Sequence, residues 1–162
     1  MKVDHGKEFE KDLNSDFKDL YLRFPISWDR ELDSFDAGNI IGARECDFKL
    51  AIRSDTPGRP WVIHIECKAS IKHRSFNAPS AKSDLLKAPQ LAKLRLAKRC
   101  GKIPLIFFKS IPADTIEIWT LTGIDWDRKT RPSAKPAQLY SSAEELIHTF
   151  LRKGHVDSPL LD

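Results

Sequence analysis

The chain has 162 residues, 41% hydrophobic and 31% charged, with a formal net charge of +4. That length suits one domain, which buries enough surface to fold without disulfide staples, and recurrent Leu, Ile, Val and Phe argue against disorder. No apolar run approaches the roughly 18 residues of a membrane-spanning helix, and residues 1–6 carry no apolar signal region, so membrane insertion and secretion are poor readings.

Residues 7–22 read as a helix, because Phe9, Leu13, Phe17, Leu20 and Tyr21 share one arc at the 3.6-residue period. Pro25 stops it. Residues 26–44 read as a loop with a short strand, punctuated by Gly38 and Gly42. Residues 45–53 read as a strand with Cys46, Phe48, Leu50 and Ile52 on one face. A turn follows at 54–58, and residues 61–68 complete a hairpin with Trp61, Ile63, Ile65 and Cys67 as its apolar face. Residues 70–82 are polar and irregular and are expected to be mobile. A helix runs from Pro89 in its first turn to Cys100, with Gly101 as its stop. Residues 103–109 form an apolar strand buried on both faces, and 115–121 an alternating one. Residues 127–138 read as a loop. Ser142, with Glu145 three residues on, opens a last helix to about Lys153. The order predicts an α/β or α+β domain with a central mixed sheet and flanking helices, spanning 1–162 with its core at about 5–121.

Charge is unevenly placed along these elements. Residues 1–36 hold six Lys/Arg and ten Asp/Glu, a balance of −4, so the remainder carries +8. Residues 82–102 hold seven Lys/Arg against the single acid Asp84. Such a basic face favours a polyanion, nucleic acid most commonly, although a solvated helix face has the same composition. Cys46, Cys67 and Cys100 lack paired spacing. They read as reduced thiols in a cytoplasmic protein and as small buried hydrophobes, and a zinc cluster is a poor fit.

The chemistry concentrates in the hairpin. Glu66 and Lys68 are two apart and share a strand face with His64, and hairpin pairing would bring Asp47 towards Glu66. Two carboxylates beside a main-chain carbonyl make an oxygen-only site suited to Mg²⁺ or Mn²⁺. An exposed hairpin with an ordinary cross-strand pair accounts for the same pattern. On the first helix Glu10 falls at about 100° from Phe9, inside the apolar arc, where a bare carboxylate is costly unless it is paired or binds a cation. His5 and His64 read as structural. Trp28, Trp61, Trp119 and Trp126 read as core or dimer contacts.

Glu10, Asp47 and Glu66-x-Lys68 together resemble the PD-(D/E)xK nuclease superfamily, with the archaeal-type Holliday-junction resolvases nearest and RecU-like resolvases next. Gly6 and Glu10 match the opening of those families. The passage from Arg99 through Gly101 and Lys102 into the apolar strand is similar to theirs, and Gln90 corresponds to an early Gln of RecU-like helices. The usual Pro before the Asp is replaced by Cys46, the 26–44 loop is longer than in archaeal members, and no stalk insertion separates the two strands.

The resemblance implies a restriction-endonuclease-like fold and a Mg²⁺-dependent endonuclease (Mn²⁺ as a substitute) that cuts four-way DNA junctions as a homodimer. Glu10, Asp47, Glu66 and the Cys67 carbonyl would hold the metal, and Lys68 would position or activate the nucleophile. Arg44, Lys72, Arg74, Gln90, Lys93, Lys98 and Arg99 are the expected DNA contacts, with His73, Arg95 and Lys102 as further candidates. The rivals are a restriction-like or repair endonuclease on other DNA, a DNA-binding module that does not cut, and a scaffold protein whose charged hairpin is incidental.

Overall fold

The computed structural model describes residues 3–31, 46–54, 59–76, 78, 80–121, 138–140 and 142–153. Helix α1 (His5–Tyr21) is started by Asp4, whose side chain accepts from the Gly6 and Lys7 amides. It buries Phe9, Leu13, Phe17 and Leu20, the arc that the sequence predicts. Strand β1 (Ile26–Arg30) follows, then β2 (Phe48–Ile52) and the long β3 (Trp61–Ser70). A single-turn helix α2 (Ala81–Leu85) precedes α3 (Ala88–Arg99). Strands β4 (Ile103–Ser110), β5 (Thr115–Thr120) and β6 (Gln138–Tyr140) lead to helix α4 (Ala143–Lys153).

The strands form one six-stranded sheet in sequence order. All neighbours are antiparallel except β3 and β4, which run parallel with α3 as the crossover. The architecture is therefore α/β, a mixed sheet flanked by helices. Gly101 takes φ +76° just after α3, the left-handed turn that glycine adopts without a side-chain clash.

The sheet is buried on both faces. One face carries Phe48, Ile63, Ile65, Cys67, Leu105 and Phe107 against α1 and α4. The other carries Ile106, Phe108 and Trp119 against Leu94 of α3, together with Phe76 and Leu86. Ile103–Ser110 is apolar nearly throughout because its two faces serve two cores.

Several expectations are corrected. Strand β2 begins at Phe48 and not at residue 45, so Asp47 lies just before it. Helix α2 and strand β6 were not anticipated. Cys46 and Cys67 are buried as expected, but Cys100 is exposed, since it caps α3 on its solvent side. The segment after β3, expected to be mobile, carries the fully buried Phe76. Trp119 is core and Trp28 and Trp61 pack at the core edge, whereas Trp126 lies outside the described residues.

Candidate active site

The site arises where one strand outruns its neighbour. β2 stops at Phe48, opposite Ile65, while β3 continues to Ser70. Past Ile65 the β3 main chain therefore loses its partner on that edge. Asp47 takes the place of the missing ladder. Its amide donates to the Ile65 carbonyl at 2.9 Å, and its carboxylate Oδ2 accepts from the Cys67 amide. Asp47 is 1% exposed, and burial of its Oδ2 is tolerable because that main-chain donor satisfies it. On the opposite side, the Glu31 amide donates to the Asp47 carbonyl at 2.9 Å.

Glu66 and Lys68 share a β3 face, as alternation requires, and Lys68 Nζ lies 2.7 Å from Glu66 Oε1. Gln90 Nε2 donates to the same oxygen at 2.6 Å. The Gln90 Oε1 accepts from the Lys87 amide at 3.1 Å. One glutamine thus caps α3 and holds Glu66, which docks the start of the basic helix onto the strand. Glu10 reaches in from α1, where Arg30 Nη2 at the end of β1 lies 3.0 Å from its Oε2.

These groups act on one another electrostatically. Burial pushes the Cys67 thiol well up, and the charges of Asp47, Glu10 and Glu66 add to the shift while Lys68 opposes it. Burial, with Glu31 next, pushes Cys46 up to about 12. Both shifts disfavour the thiolate, the form in which a cysteine acts as nucleophile.

Asp47 and Glu66 beside the Cys67 main chain form an oxygen donor set that fits a hard divalent ion, which binds through one or two carboxylates and keeps several waters. Among the described residues, no three His, Cys, Asp or Glu side chains gather as a metal cluster. Glu10 is paired with Arg30 on the α1 side of the site, and its charge, like those of Asp47 and Glu66, is felt at Cys67.

Of the expected DNA contacts, Gln90 lies at the site. Lys98 and Arg99 are exposed on α3 and Lys93 is half-buried. Lys72 Nζ pairs with Asp84 at 3.2 Å, and Arg74 is exposed. Arg44 lies outside the described residues. His64 is buried, and His5 pairs with Glu8 at 3.2 Å. Arg30 was not anticipated, because a five-residue strand with alternating exposure offers too short a pattern to single it out.

The fold is similar to that of Hjc, a Holliday junction resolvase from the archaeal hyperthermophile Archaeoglobus fulgidus. The TM-score is 0.52 at 16% sequence identity, covering 88% of this chain and 98% of that one. No protein-family model and no curated protein sequence matches the chain. The chain thus has the restriction-endonuclease-like α/β fold. Among the described residues no helix is long and apolar enough to cross a membrane.

Proposed function

We propose that this chain is a metal-dependent, structure-selective endonuclease that resolves four-way DNA junctions by phosphodiester hydrolysis in the cytoplasm. The observation that carries the reading is the placement of Asp47, Glu66 and Lys68 around Cys67 at the open edge of β3, on a fold shared with a resolvase.

Asp47, Glu66 and the Cys67 carbonyl would hold Mg²⁺, or Mn²⁺ in its place. A divalent ion bound there would lower the pKa of water and neutralise charge on the phosphate. Lys68 then orients the nucleophile and stabilises negative charge as it develops. Gln90 keeps Glu66 in place when Lys68 turns to substrate. Arg30 pairs with Glu10 beside the cleft, where the pair orders the α1 side of the site. The basic residues of α3 grip the phosphate backbone without reading sequence. A four-way junction has two-fold symmetry, so symmetric cutting calls for two copies of the chain.

The test is a labelled four-way junction with Mg²⁺, wild type against Glu66→Ala, with a linear duplex as control. The expected result is symmetric junction cleavage that falls by more than about 100-fold in the variant while binding persists, since even partners outside the ligand set cost up to that much. Equal cutting of duplex and junction would make the chain a nuclease of another substrate class. Binding without cutting in Mg²⁺ or Mn²⁺ would leave only a DNA-binding module.

A further inference from the structure

The segment after β3 is held by a buried polar network that the proposed hydrolysis does not use. Ser70 Oγ accepts from the Lys72 and His73 amides at 3.1 and 3.0 Å. Ser110 Oγ, at the end of β4, donates to the His73 carbonyl at 3.1 Å. The buried Glu117 on β5 accepts from Ser75 Oγ at 3.1 Å and from the Phe76 amide at 2.9 Å through one oxygen. Phe76 packs on Phe108 and Trp119, with ring centroids 5.6 and 5.5 Å away. A satisfied network of this kind fixes a backbone instead of leaving it to fluctuate.

This fixed segment presents an apolar residue to solvent. Ile71 is 65% exposed, and Ile111, which follows the paired end of β4, is 37% exposed. The Ile111 amide donates to the Ser70 carbonyl at 3.0 Å, so the two isoleucines follow neighbouring strand ends. A scattered exposed isoleucine is ordinary. Here the two follow hydrogen-bonded strand ends, with Lys72, paired to Asp84, and the exposed Arg74 on the same segment. Ile71 also follows Lys68 by three residues, about 10 Å along an extended chain. An apolar wedge beside a cation is the chemistry that inserts at a base step while holding an adjacent phosphate.

We propose that Ile71 is a specificity-determining wedge, carried on a rigid loop, that packs on a base-pair face opened at the branch point of DNA. A linear duplex stacks its base pairs continuously and offers no such face; the centre of a four-way junction does. This inference rests on the junction-cleaving function proposed above and assigns the residue that tells branch from duplex. Arg74 supplies affinity common to both substrates, and Ile71 supplies the difference.

The experiment uses the full chain without divalent ions, so that nothing is cut. A junction with 2-aminopurine at the branch point and a linear duplex of the same arms are titrated with wild type, Ile71→Ala and Ile71→Met. Ile71 is exposed, so both variants fold. Wild type changes the 2-aminopurine fluorescence, and Ile71→Ala abolishes that change and weakens junction binding about tenfold, what burial of an isoleucine side chain is worth. Duplex affinity and its salt dependence stay the same, and Ile71→Met retains the signal. Identical curves for wild type and Ile71→Ala overturn the wedge and leave the junction reading intact. No preference for junction in the wild-type curve alone overturns the functional reading and the wedge with it. A dimer that dissociates in Ile71→Ala, seen by sedimentation velocity, overturns the wedge by making the patch a contact between copies of the chain.

Discussion

At the scale of single residues, the site is a set of carboxylates each held by a named donor: Asp47 by the Cys67 amide, Glu66 by Lys68 and Gln90, Glu10 by Arg30. Asp16 shows the contrary case. It lies on the acidic side of α1, and its carboxyl is raised by partial burial and then by the charges of Asp12 and Asp19. A raised pKa in the fold means that the charged form is disfavoured there relative to the unfolded chain. The penalty is full at neutral pH and fades as pH falls through the raised value towards the ordinary carboxylate range. Asp16→Asn should therefore raise Tm at pH 7 by about 1 °C, because solvent screens an exposed like-charge cluster to a few tenths of a kcal/mol. The gain should vanish at about pH 3, where the carboxyl is protonated anyway. Paired thermal melts at the two pH values check this, and an equal gain at both would remove charge as the cause. The position of Glu10 was legible as an acid inside an apolar arc. Its partner was not, because Arg30 is 20 residues away and comes near only as β1 folds back along α1.

At the scale of elements, the segment from Ile71 to Phe76 marks the limit of local reading. Its polar composition matches that of a mobile loop, yet what holds it is a carboxylate more than 40 residues further on. Glu117 also accepts from Trp119 Nε1 at 3.1 Å, so one buried carboxylate serves three donors. Glu117→Ala leaves them without that acceptor in a water-poor setting and should cost about 3 kcal/mol, an unmade buried hydrogen bond costing about 1–3 kcal/mol and shared bonds adding less than fully. Denaturant unfolding measures the loss. Hydrogen exchange should show the Phe76 amide losing protection ahead of the sheet, and protection unchanged in the variant would show that apolar packing alone fixes the loop. The regular elements were legible where period and punctuation agree, as in α1, α3 with Pro89 and Gly101, and the doubly buried β4. Helix α2 has five residues and β6 three, both too short to establish a period.

At the scale of the whole molecule, the charge asymmetry of the sequence becomes a polarity of the fold. α1, whose exposed Glu8, Asp12, Asp16 and Asp19 outnumber its exposed Lys7, Lys11 and Lys18, packs on one face of the sheet, and α3, with Arg95, Lys98 and Arg99 exposed, packs on the other. Two helices of opposite sign on opposite faces repel a polyanion from one side and draw it to the other. Gln90 ties the start of α3 to Glu66 at 2.6 Å, so under the proposed function DNA gripped along that helix would be delivered to the β3 edge. The attraction should be read in salt. For duplex DNA, log K falls with log salt by about 0.9 for each phosphate neutralised. Replacing Arg95, Lys98 and Arg99 by Ala should flatten that slope by about 2–3 units and weaken junction and duplex alike, because phosphate contacts carry no shape information. Replacing Asp12 and Asp19 by Asn, on the far side, should leave the slope as it is. Binding isotherms from about 50 to 200 mM salt decide the matter. A slope that survives loss of the α3 cations would move the DNA path off that helix. A slope that responds to the α1 acids would mean that the two faces do not divide the work as their charges suggest.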